Sequence, residues 1–236
     1  MTTPTESDPS PWLARLLQLA DPLFPSGAYA HSGGLEEWVR LGLAKDEAGL
    51  QAFALDHIAP AQERLELPFV REARSAALAG DVDRLVALDR EFEIRKPSGE
   101  VRSAGRQIGR RRLASHRAVR DTPFSSEYAA RIGRGETPGQ STIVAGVIAA
   151  AEAIPLLPAL QSHYYLAGAG VCSAALKLLR IGQDGVQRVL RAYLEAAPAA
   201  VAASLAIAAS DAAWFDPLLD IAHLRHEHAE ERLFIS

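Results

Sequence analysis

No stretch of this sequence alternates apolar and polar residues for long enough to make a half-buried strand. Helix start and stop signals, by contrast, recur from Ser10-Pro11 to Asp216-Pro217. That contrast restricts the chain to an all-α fold. Composition agrees, since alanine and leucine dominate while threonine and the aromatics are sparse. No repeat period is evident, so the expectation is a compact bundle of roughly ten helices. It forms one domain over residues 11–236, preceded by a flexible segment over 1–10.

The start and stop signals place the elements. Ser10 caps a first helix with Pro11 at its first position, and Trp12, Leu13, Leu16, Leu17, Leu19 and Ala20 form its apolar face. Asp21-Pro22 stops it. Ser32 or Gly33 opens a second helix, with Glu36 at its third position if Gly33 is the cap, and Gly42 ends it. Asp46 caps a third that reaches toward Pro60. Residues 61–79 follow, with a break or kink at Pro68, and Gly80-Asp81 stops that segment and starts the next, which runs to about Arg95. Ser98 caps a basic helix, and a short helix is expected around 126–132. Helices near 142–153, 158–181, 185–196 and 199–209 carry little charge and should form the centre. Asp216-Pro217 opens the last, ending near Glu231.

Charge and cysteine usage exclude several classes of function. The formal net charge is −4, so the whole protein is not a basic nucleic-acid binder. The single cysteine, Cys172, excludes an intramolecular disulfide framework and any zinc site built from several cysteines, and its small-residue surroundings suit a buried, inert thiol. Residues 1–10 lack the basic start and apolar stretch of a signal peptide. Residues 153–176 are uncharged but interrupted by Pro155, Pro158, Gln161 and His163, which suits a buried helix better than a membrane span. The expectation is a soluble cytoplasmic protein without a membrane partner. No phosphate-binding loop, dinucleotide fingerprint or nucleophile elbow is present.

Four features invite a functional reading. The first is the Pro/Gly-punctuated loop between the first two helices, where Pro25, Gly27, Tyr29, His31, Ser32 and Gly34 serve shape rather than burial. The second is the segment from Arg95 to Arg120, with nine Lys/Arg against Glu100 alone. Arg102, Arg106, Arg110 and Arg117 share one of its helical faces. It is either a solvated face neutralised by nearby acids or a contact surface for an acidic partner or phosphate. The third is the trio His223, His226 and His228. His223 and His226 share a face and are weak candidates for a nickel clamp completed by Glu227 or by another chain, but the spacing is not that of a metalloprotease, and solvated or hydrogen-bonded rings are the simpler reading. The fourth is the tail Arg232-Leu233-Phe234-Ile235-Ser236, too apolar to remain undocked. It is expected to fold back near the first loop, with Arg232 on Tyr29.

The run Leu19-Ala20-Asp21-x-x-x-Pro25-x-Gly27-x-Tyr29-x-His31-Ser32-x-Gly34-Leu35-Glu36 resembles the N-terminal signature of UreF-type urease accessory proteins. His226-Glu227-x-x-x-x-Arg232-Leu233-Phe234-x-Ser236 resembles their C-terminal signature, and Glu100-x-Arg102-x-x-x-x-x-Gly109-Arg110 is a looser third match. Gly33 departs from the pattern, standing where many relatives carry a larger residue. The resemblance implies a cytoplasmic, non-enzymatic helical adaptor without a cofactor of its own. It would form a homodimer, bind a UreD/UreH-type scaffold, recruit a UreG-type GTPase and deliver nickel to apo-urease. Pro25, Gly27, Tyr29, His31, Ser32, Gly34, Leu35 and Glu36 would shape one contact region, and Arg232, Leu233, Phe234 and Ser236 another. Alternatives are a regulator that inserts Arg102, Arg106 or Arg110 into that GTPase and, more distantly, a metallohydrolase using His223, His226 and Glu227.

Overall fold

In a computed structural model, which describes residues 11–21 and 23–235, every regular element is helical. Ser10, Pro22, Ser236 and the segment 1–10 lie outside the described residues. The order is α1 (Pro11–Ala20), a 3-10 turn (Ala28–Ala30), α2 (Leu35–Arg40), α3 (Glu47–Phe53), the single turn α4 (Ala59–Ala61), α5 (Leu67–Ala79), α6 (Val82–Ile94), α7 (Gly99–Val119), α8 (Pro123–Gly133), α9 (Ser141–Ala151), α10 (Leu156–Leu178), α11 (Gln183–Ser204) and α12 (Pro217–Glu227). The side chains of Asp46, Asp81, Ser98 and Asp216 each accept a backbone N–H of the helix that follows, as their positions in the sequence require. None of the helices among the described residues is long and apolar enough to cross a membrane.

Proline produced the main departures from the expected boundaries. The segment from Glu47 to Ala79 does not break at Pro60 or Pro68; it is continuous, with π turns at Ala54–Ile58 and Gln62–Glu66. A proline ring conflicts with the carbonyl four residues earlier, and for Pro60 and Pro68 those carbonyls, of Asp56 and Arg64, lie inside the two π turns. Pro198 likewise sits inside α11, where two separate helices were expected. Its neighbours Ala197, Ala200 and Val201 are buried, so packing outweighs the proline penalty of about 3 kcal/mol. The last helix stops at Glu227 rather than near Glu231.

Two apolar clusters share α5 as a common wall. Leu67 and Val70 face one, with α2, α3, α10, α11 and α12. Phe69, Ala73 and Ala76 face the other, with α1, α6, α7, α8 and α9. Of the low-charge helices, α9 is buried along most of its length, whereas α11 leaves Arg188, Arg191 and Glu195 exposed. α9 crosses α5 at Gly146, where a Cβ atom would lie 2.6 Å from the Val70 carbonyl oxygen. The backbones therefore meet without a side chain between them.

One buried ion pair gives the fold an acid limit. The Glu66 carboxylate, 9% exposed, takes the Lys96 ammonium and the Thr142 hydroxyl. Burial acts to raise its pKa, but Lys96 and His163 more than offset this and hold it at about 2 instead of 4.5. The unfolded chain thus takes up this proton at a higher pH than the folded one. The stability it contributes is complete above about pH 4.5 and is lost as pH falls toward 2. Thermal unfolding followed by circular dichroism should show Tm dropping steeply over that interval, and Glu66→Gln should flatten the drop.

Candidate functional site

The two ends of the chain meet on α7. The N-terminal loop is shaped by backbone demands: Gly27 has φ +76° at the entry to the 3-10 turn, Ala28 N–H donates to Ser26 Oγ at 3.3 Å, and the Pro25 carbonyl accepts from Ser115 Oγ at 3.2 Å. Ser32 is buried, and its hydroxyl accepts the Glu36 N–H at 3.4 Å. Gly34 (φ +91°) is the cap of α2, in place of Ser32 or Gly33, so Glu36 occupies the second helical position rather than the third. A Cβ on Gly34 would lie 2.7 Å from Leu219 Cδ1 and 2.8 Å from His223 Nε2. Only glycine allows α12 to lie this close, and Leu35 beside it is fully buried in the core.

Glu36 is the hub of the junction. Its Oε1 accepts the Leu233 N–H at 2.7 Å and its Oε2 the Phe234 N–H at 2.9 Å. Its Oε2 also faces His226 Nε2 at 3.1 Å. The other ring nitrogen, Nδ1, lies 2.9 Å from Glu100 Oε2, and Arg232 donates to Glu100 Oε1 at 3.0 Å. Burial acts to raise the Glu36 pKa, yet the Leu233 N–H, the His226 ring and the Phe234 N–H together hold it below the usual carboxylate value. The tail is fixed further by Ile235 N–H on the Ala30 carbonyl at 2.8 Å and by Phe234, buried with Lys177 Nζ 5.1 Å from its ring centroid.

The tail thus folds back on the first loop as the sequence implies, but through a different partner for its arginine. Arg232 reaches Glu100 and not Tyr29, because Glu100 already stands beside the chain's return path through its bond to His226. Tyr29 is 75% exposed, as are Leu233 and Ile235 at more than half of their surface, so these apolar groups from both ends lie open to solvent. His31 is half-buried. Burial pulls its pKa down, partly countered by the Glu100 carboxylate.

The histidines are not arranged as a clamp. His226 is committed to two carboxylates, while His223 is half-buried against the Gly33-Gly34 turn, where desolvation lowers its pKa to about 4. His228 is exposed. Among the described residues, no group of three or more His, Cys, Asp or Glu side chains is placed to hold a metal ion. The arginine face of α7 is largely occupied within the chain. Arg102 donates to the Lys96 and Pro97 carbonyls, Arg106 pairs with Glu93 at 2.6 Å, Arg110 donates to the Pro138 carbonyl at 2.9 Å, and Arg117 pairs with Asp121. Arg110 is the most exposed of the three candidates. The sequence reading missed Glu37, fully buried and paired with Arg40 and with Arg225 at 2.7 Å across α2 and α12. A charged residue two positions after the apolar Leu35 gave no signal that it would turn inward.

Comparison with known proteins bears on the same elements. The UreF family model matches residues 44–194, which include α7 but neither chain end. Relatives match over nearly the whole chain. A urease accessory protein UreF from Methylibium petroleiphilum (strain ATCC BAA-1232 / LMG 22953 / PM1) is 34% identical over 95% of this chain and 94% of its own length. Proteins of the same description from Dechloromonas aromatica (strain RCB) and Arthrobacter sp. (strain FB24) are 33% and 30% identical, covering 95% and 94% of this chain and 97% and 96% of their own lengths.

Proposed function

The chain belongs to the UreF family of urease accessory proteins, and from that premise we propose that it is a non-enzymatic adaptor in urease maturation. It forms a homodimer in the cytoplasm, binds a UreD/UreH-type scaffold, and with it recruits a UreG-type GTPase so that nickel reaches apo-urease. The observation that carries this reading is the docked junction of the chain ends. Glu36, Glu100 and His226 hold the tail in a defined path, leaving Tyr29, Leu233 and Ile235 as an apolar contact surface edged by Arg232. A second exposed apolar groove of about 690 Å³, where Trp12, Leu13, Leu17, Tyr165 and Leu194 meet, supports association with a second copy.

The test is a pull-down with a UreD-type protein, a UreG-type protein and apo-urease, using the full chain and a chain lacking residues 232–236. The full chain should capture the UreD-type protein and, with it, the GTPase. The truncated chain, checked for unchanged helicity, should lose at least tenfold in capture. Undiminished capture by the truncated chain would overturn the reading. Single-turnover GTP hydrolysis with Arg110→Ala distinguishes an inserted arginine: a slower rate with binding intact would favour the regulator over the adaptor.

A further inference from the structure

Beneath α1 lies a cavity of about 20 Å³, bounded by Leu16 and Leu19 of α1, Arg112 of α7, Ile148 of α9, and Ser162 and His163 of α10. Most of this wall is apolar, but the three polar residues converge on it. Arg112 Nε is buried and meets no acceptor among the described residues, where the guanidinium has only a long 3.4 Å bond to the Leu19 carbonyl. His163 Nδ1 is buried and equally unpartnered. Burial lowers the Arg112 pKa only to about 10, so the group remains a cation at neutral pH.

The neighbouring carboxylates do not balance this charge. One turn along α7, Glu152 is shared by His116 at 2.8 Å, Arg15 at 3.5 Å and Arg120 at 3.8 Å. On the other side, Glu66 is taken by Lys96 and Thr142, with His163 Nε2 3.7 Å away. Of the charged side chains that line the cavity, Arg112 therefore has no carboxylate of its own. Arg112 is half-buried with its Nε fully covered, so part of its charge is held away from water without a counter-charge, and a neutral water bonded to it would leave that charge uncompensated. The volume accepts one occupant of about water or halide size and excludes sulfate, phosphate or a carboxylate ligand.

We propose that this cavity binds one small monovalent anion of halide size, held by Arg112 together with Ser162 and His163. The bound anion neutralises Arg112 and so fastens α1 to α7 and α10. The probe is bromide. Crystals of the full chain soaked in bromide should show an anomalous peak inside the cavity. Tm of the wild type should be higher in sodium bromide than in sodium gluconate of equal ionic strength, by about 3 °C at roughly ten times Kd. That difference should vanish in Arg112→Met, which keeps the aliphatic stem, and shrink in Ser162→Ala, which serves if the first variant folds poorly. A cavity holding only water with no anomalous peak would overturn the proposal, as would an equal response of wild type and variants to the change of anion.

Discussion

Replacing Gly146 by valine is expected to cost about 4 kcal/mol or more and to leave the protein largely unfolded at 37 °C. The Cβ alone would lie 2.6 Å from the Val70 carbonyl oxygen, 2.7 Å from Ala73 Cβ and 2.7 Å from the Arg74 backbone nitrogen. These are chiefly backbone atoms of a helix that walls both apolar clusters, so no rotamer change relieves the overlap. Parting α5 from α9 would also strain the Arg74 bonds to the Ile154 carbonyl at 2.8 and 3.0 Å. Against a total stability of about 5–15 kcal/mol, such a loss is decisive. A control is built into the fold. Gly170 also lies in a helix, but a Cβ there would meet nothing within 4 Å. Gly170→Ala should leave stability unchanged or raise it by up to about 1 kcal/mol through helix propensity. Urea denaturation of the two variants separates them. Similar midpoints would show that α5 and α9 are not in backbone contact.

How much of this architecture was legible in the sequence depends on how local the cause is. Asp46, Asp81, Ser98 and Asp216 cap their helices through bonds only three residues long, so spacing alone identifies them. Pro60, Pro68 and Pro198 were misread because their local preference to break a helix is overruled by distant packing and by two π turns that no periodicity announces. The same division runs through the site. The return of the tail was readable from Leu233, Phe234 and Ile235 at a terminus. The partner of Arg232 was not, because Glu100 becomes its neighbour only when α7 packs beside α12. The arginines of α7 left two readings open, a face neutralised by nearby acids or a contact surface. Glu93 and Pro138 come from flanking elements that fold back on the helix, while Asp121 lies one turn beyond Arg117. Gly33, the departure from the family pattern, has φ +63°, but a Cβ there would touch only Val171 at 3.8 Å. A Cβ at this position would therefore meet a conformational penalty and no clash.

The three sequence matches, separated by more than sixty residues each, resolve into one structure at Glu36, and its removal is expected to be the most damaging single change to the site. Glu36→Ala deprives the Leu233 N–H, the Phe234 N–H and the His226 ring of a common acceptor. His226 is buried, so its lost partner is not replaced by water, and each unsatisfied buried group costs about 1–3 kcal/mol. Among the described residues, the tail is otherwise held by the Phe234 side chain, the bond from Ile235 to Ala30 and the Arg232–Glu100 pair. The tail should therefore undock while the bundle stays folded, since both apolar clusters are otherwise intact. Amide exchange at residues 233–235 should accelerate to the rate of an unprotected segment, with protection in α5 and α9 unchanged. Capture of the GTPase should fall at least tenfold, matching deletion of residues 232–236. Phe234→Ala should add little on top of Glu36→Ala, because both remove the same docked state. Additive losses would show that Glu36 and the tail contribute to partner binding separately, and the docked junction would then not be the contact element.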